Sequence, residues 1–86
     1  MSETLEFPYL AAIPYKIISE KNVSAGAKVH FGCLMAWADQ SGIVKHTTKK
    51  MAAMYEKPES IIQCWHIELE NAGFLKIHES HLEVTA

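Results

Sequence analysis

The chain has 86 residues, of which 49% are hydrophobic and 21% charged, and a formal charge of -2 at pH 7. At this length one domain is expected, and folding removes only about 60% of the surface that the unfolded chain exposes, so the core is thin and a partner chain is a natural stabiliser. The composition excludes a disordered chain, and the slight acidity argues against strong nonspecific DNA binding, which usually needs an overall basic protein or a basic stripe.

Residues 1–12 are assigned to an N-terminal tail and residues 13–86 to the folded domain. Met1 to Glu6 reads as loose and is acidic where a secretory signal needs a basic flank. With no run of about 18 apolar residues, the expected protein is cytoplasmic and makes no membrane contact, with a bacterial, phage or mobile-element style of sequence. Cys33 and Cys64 fall in different expected helices and have no second pair to form a disulfide framework, as suits a reducing compartment.

Phe7 to Ile18 is apolar but interrupted by Pro8 and Pro14, so an extended segment or short helical turn beside the core is expected. Ser24 is an N-cap for a helix over Ala25 to Asp39, whose Ala27, Phe31, Leu34, Met35 and Ala38 recur at helical spacing. Ser41-Gly42 ends it, and the β-branched Ile43-Val44-Lys45 suits one strand of a small sheet. Thr47 caps a second helix from Thr48 to about Tyr55, Lys57-Pro58 turns the chain, and a third helix runs from Pro58 to Ala72 with Gly73 as its stop. Phe74–His78 and Leu82–Thr85 then form a hairpin around Glu79-Ser80-His81. The expected architecture is α+β, mainly α, with three helices and a C-terminal β-hairpin wing, in which Trp65, Leu69, Leu34 and Phe31 share one core.

The residues that open and close these helices carry a family resemblance. Ser24-Ala25-Gly26-Ala27-Lys28, Thr47 through Met51-Ala52, Ile62-Gln63, Trp65, and above all Glu68-Leu69-Glu70-Asn71-Ala72-Gly73-Phe74-Leu75 resemble the winged helix-turn-helix domains of plasmid and phage replication initiators and related small regulators. The likeness spans roughly residues 13–78. It implies that the third helix enters a DNA major groove, and therefore a role in transcription regulation or in the initiation of DNA replication. In that family the helix after the turn usually begins with Ser and Arg or Lys. Here the matching positions hold Pro58, Glu59, Ser60, Ile61 and Cys64.

At about 100° per residue, Ile62, Trp65, Leu69 and Ala72 form the buried stripe of that helix, with Ile61 and His66 at its margins. The outer side then carries Ser60, Gln63, Cys64, Ile67 and Asn71, all uncharged, flanked by Glu59, Glu68 and Glu70. Ser60, Gln63 and Asn71 are candidate readers of base edges, Gln63 through a bidentate contact to adenine. Lys45, Thr47, Lys49, Lys50, Lys57 and Lys76 are the candidate contacts to the DNA backbone, aided by the N–H groups of helix N-termini. His78 and His81 make the wing tip pH-sensitive.

An uncharged outer face also fits a second class of function. Cys64 and Ile67 are candidate protein-interface residues, so the alternative is an interaction module or dimeriser on the same scaffold that has lost most of its DNA affinity. Metal and cofactor sites are not expected: Cys64 and His66, two residues apart on a helix, point about 200° apart. Nor is an enzyme expected, because no nucleophile–base framework is legible.

Overall fold

The computed structural model describes residues 13–85. The tail expected over residues 1–12, and with it the start of the apolar Phe7–Ile18 stretch, lies outside the described residues. The described chain forms four helices and three strands in the order α1 (Tyr15–Ile18), α2 (Ala25–Trp37), β1 (Ile43–Val44), α3 (Thr48–Tyr55), α4 (Glu59–Asn71), β2 (Leu75–Ile77) and β3 (Leu82–Val84). This is an α+β fold. The strands make one antiparallel sheet in the order β1-β3-β2, in which Val44 and Ile77 both face Leu82 of the central strand.

The helix beyond the three expected is α1, a single turn after Pro14. Pro14 fixes an extended entry and its carbonyl accepts from the N–H groups of Ile17 and Ile18. It places Ile17 fully inside the core.

Ser24 caps α2 as expected, its Oγ accepting from Ala27 N–H. The helix stops at Trp37, two residues before the expected Asp39. The cause is the Asp39 carboxylate, which accepts from the N–H groups of Ser41 (2.8 Å) and Ile43 (3.0 Å) and so favours a turn over another helical residue. Those bonds, Ile43's foremost, hold its carboxyl below the usual carboxylate range. Gly42 completes the turn at φ +81, and any Cβ there would lie 2.9 Å from the Val84 carbonyl oxygen. Met35, expected in the core, is instead 37% exposed.

Thr47 caps α3, accepting from Lys50 N–H at 3.1 Å. The link to α4 is short: Glu56 adopts a left-handed conformation (φ 55), and Lys57 N–H closes back on the Ala52 carbonyl. Pro58 stands at the N-cap of α4 and not at its first helical position. Gly73, at φ +87, ends α4 as expected, and Phe74 N–H bonds back to the Leu69 carbonyl.

The core joins Ile17, Phe31 and Leu34 to Met51 of α3, Ile62 and Leu69 of α4, and Phe74, Leu75 and Leu82 of the hairpin. Two expectations about α4 need correcting. Trp65 is only partly buried and lies at the edge of this cluster, whereas His66, expected at the margin, is 3% exposed. The inward stripe is thus Ile62, His66 and Leu69. It tolerates an imidazole because His30 of α2 bonds to it.

Trp65 instead lies against Gly26 of α2. A Cβ on Gly26 would come within 2.6 Å of Trp65 Cζ2. Gly→Ala in an unobstructed helix stabilises by about 0.5–1 kcal/mol. Here the indole must move, and Gly26→Ala is expected to destabilise by about 1–3 kcal/mol. Chemical denaturation of both proteins checks this; a variant more stable than its parent would place Trp65 elsewhere.

Candidate nucleic-acid interface

Between α4 and the β2–β3 hairpin runs a half-open groove of about 430 Å³. One end is formed by His46, Thr47 and Thr48 at the start of α3, the floor and one wall by Gln63, His66 and Ile67 of α4, and the other wall by residues 77–82 of the hairpin. The hairpin is held to α4 by Glu70, whose Oε2 accepts from Ile77 N–H at 3.0 Å. Its tip closes through His78 N–H on the His81 carbonyl, and the two imidazoles stack with centroids 4.5 Å apart. His78 Nε2 also meets Glu83 Oε1 at 2.9 Å.

The groove brings together Thr47, Gln63 and Ile67 from the residues singled out in the sequence. Ser60, Gln63, Cys64, Ile67 and Asn71 are all exposed, as the helical geometry requires, and Ser60, Gln63, Ile67 and Asn71 follow one another at spacings of three and four along α4. Lys45, Lys49 and Lys50 are exposed around the entrance of α3. Lys57 is exposed at the opposite end of that helix, about 12 Å away by its rise. Lys76 is exposed on β2, where its register partner is Glu83 of β3. The five lysines therefore do not form one patch on the groove, and none of them lines it.

The glutamates flanking α4 have structural partners. Glu68 reaches the start of α2, where its oxygens accept from Ser24 N–H (2.7 Å) and Ser24 Oγ–H (3.2 Å). With Glu70 bonded to the hairpin, two of the three carboxylates that would repel a phosphate backbone are committed to backbone amides. Glu59 is left at the N-terminus of α4, where the helix dipole favours it.

Behind the floor lies a hydrogen-bonded chain that the sequence reading missed. His66 Nε2 meets His30 Nε2 at 2.9 Å, His30 Nδ1 meets the Tyr55 hydroxyl at 2.7 Å, and the buried Cys33 neighbours that hydroxyl. The available signal was His30 lying at core spacing between Ala27 and Leu34 of α2. Burial, with the neighbouring His66, pushes His30 down to about 3, and burial pushes His66 down to about 4. Burial, together with Cys33, drives the Tyr55 phenol upward. His30, His66 and Tyr55 are therefore neutral at pH 7. His46, edge-on to Trp37 at 5.3 Å, is lowered by burial and then by Lys50.

No protein-family model, curated protein or solved structure matches the chain. Among the described residues no helix is long and apolar enough to cross a membrane, and no cluster of three or more His, Cys, Asp or Glu side chains is arranged to hold a metal ion.

The imidazole pair fixes a pH dependence. Both folded pKa values lie below the unfolded value of about 6.5, so between about pH 6.5 and 4 the unfolded chain binds more protons than the folded one. The pair's stabilisation is complete above pH 6.5 and is lost as pH falls through the folded values, by up to about 1.4 kcal/mol per histidine per pH unit. A His30→Gln/His66→Gln variant is expected to melt lower at pH 7.5 but with a flatter dependence between pH 6.5 and 4. An unchanged slope in thermal melts would assign the acid sensitivity to other groups.

Proposed function

We propose that the protein is a winged-helix DNA-binding domain, cytoplasmic, acting as a transcriptional regulator or in the initiation of replication of a phage or mobile element. α3 and α4 form the helix-turn-helix, α4 is the helix presented to DNA, and the β2–β3 hairpin is the wing. The observation that carries this is the division of α4 into two sides. Ile62, His66 and Leu69 are buried while Ser60, Gln63, Ile67 and Asn71 form an exposed, uncharged stripe. A helix about 10–12 Å across fits a major groove about 12 Å wide, and Gln63 at the centre of the stripe has the donor–acceptor pair that an adenine edge requires.

Affinity on this reading comes from outside α4. Lys45, Lys49 and Lys50 surround the entrance of α3, where Lys50 also lies close enough to His46 to lower its pKa. Replacing all three with Ala is expected to weaken binding to every duplex alike and to flatten the log–log salt dependence by up to about three units, since each phosphate neutralised adds roughly 0.9. Fluorescence anisotropy on mixed-sequence duplex at low and moderate salt provides the check; binding that is absent in the unmodified protein at low salt overturns the duplex reading.

A second reading, an interaction module or homodimer formed through α4, is supported by Ile67 at 51% and Ile77 at 40% exposure on facing walls of the groove, with Cys64 exposed beside them. Burying such a patch yields roughly 25 cal/mol per Å², against which ordering costs must be set. On this reading Ile67→Arg shifts the protein toward monomer in light scattering, because a guanidinium is costly in an apolar contact. A parent that is already monomeric at high concentration, and an Ile67→Arg variant that binds duplex more tightly, would exclude it.

A further inference from the structure

All five histidines belong to the groove or to its backing: four line it, and His30 stands behind His66. Charge is segregated around them. The lining contains one carboxylate, Glu79, and no Lys or Arg, whereas Lys45 and Lys49 each adjoin a lining residue in sequence. Apart from Glu79, neutral hydrogen-bonding and apolar groups thus lie inside, and the charges just outside are Lys45 and Lys49 beside α3 together with Glu68 and Glu83, whose carboxylates are bonded to Ser24 and His78. A small anion would find no lysine or arginine in the groove. A polymer with an anionic backbone and neutral planar side groups matches both zones.

His66 gives the interior a polar floor. Its Nε2 is bonded to His30; among the described residues no group meets its Nδ1 and no buried polar side-chain atom lacks a hydrogen bond, so Nδ1 opens on the groove. The chain behind it can run in either direction. If the Tyr55 hydroxyl donates to His30 Nδ1, then His30 Nε2–H donates to His66 Nε2 and His66 Nδ1–H faces the groove as a donor. In the reverse order His66 Nε2–H donates to His30, His30 Nδ1–H donates to the Tyr55 oxygen, and His66 Nδ1 becomes an acceptor. Neither order leaves these contacts unmet.

We propose that this groove is a pocket for an unpaired nucleobase of a single-stranded nucleic acid. Ile67 and Ile77 contact the faces of the base, Gln63 and His66 Nδ1 meet its edge, and the lysines outside hold the flanking phosphates. The volume of about 430 Å³ lies in the range of small-ligand pockets, and the stacked His78–His81 pair adds a π-surface at the rim. Because His66 can donate or accept, the pocket registers the presence of a base more than its identity. The inference uses the lysines of the duplex reading but does not depend on α4 entering a major groove.

The test uses the full chain and three probes: a thymidine hexanucleotide, an adenosine hexanucleotide, and an abasic oligomer with the same number of phosphates. Base-bearing strands are expected to bind at least about tenfold tighter than the abasic strand, the scale of one stacked base. In 15N NMR the His66 Nδ1 resonance is expected to move with the base-bearing strands and not with the abasic one. Gln63 is exposed, so Gln63→Ala keeps the fold; it is expected to narrow the difference between base-bearing and abasic strands. Equal affinity for all three strands with an unmoved His66 resonance overturns the proposal. Duplex binding without binding of any single strand overturns it too and leaves the duplex reading standing. A base-dependent single-strand affinity without duplex binding supports the pocket and removes the duplex reading.

Discussion

Two neutral imidazoles, His30 on α2 and His66 on α4, meet at 2.9 Å in the interior, and the mutual placement of three helices depends on that contact. A buried polar group without a partner costs about 1–3 kcal/mol, so each ring can stay inside only where the other, and Tyr55 of α3, supply its bonds. Directionality then does what apolar packing alone cannot. Leucine-like contacts tolerate sliding, whereas a hydrogen-bonded line from α4 through α2 to α3 fixes both rotation and register. The surrounding rings reinforce it: His30 is edge-on to Tyr55 and Trp37 and tilted against Trp65.

Fixing α4 on its inner side determines what its outer side can do. Once His66 points inward, Gln63 and Ile67 border the groove, and Ser60 and Asn71 continue the exposed stripe. The opposite wall depends on α4 as well, because Glu70 holds the hairpin through Ile77 N–H and Gly73 turns the chain back so that Phe74 can pack edge-on against Phe31. Glu68 secures α4 to the cap of α2 through Ser24. The groove is therefore a product of α4's contacts at three points along its length.

Much of this architecture was legible because its signals are local. Ser24, Thr47 and Gly73 act on their own backbone neighbours, and each does so where expected. The two helices flanking the short turn and the two strands after Gly73 follow from spacing and β-branching alone. Local signals also misled. The helical pattern continued through Asp39, but a carboxylate able to accept from two turn amides competes with the next helical bond and ends α2 early. Periodicity placed Trp65 at the centre of the buried stripe of α4, whereas its indole sits over Gly26 at the edge. A wheel gives angles around one helix and cannot tell which neighbour leaves room for a large ring.

By itself the sequence determined the element order, the helix caps and the uncharged outer face of α4, because each is set by residues within a turn or two of one another. It also showed that this helix carries no Lys or Arg. The tertiary structure decided the rest. His46 and His66, with His78 and His81, come from three separate segments and share one groove, Glu68 and Glu70 bond to distant amides, and His30 reaches His66 across 36 positions. Those contacts depend on how helices cross and how the hairpin folds back, and sequence separation carries no record of either.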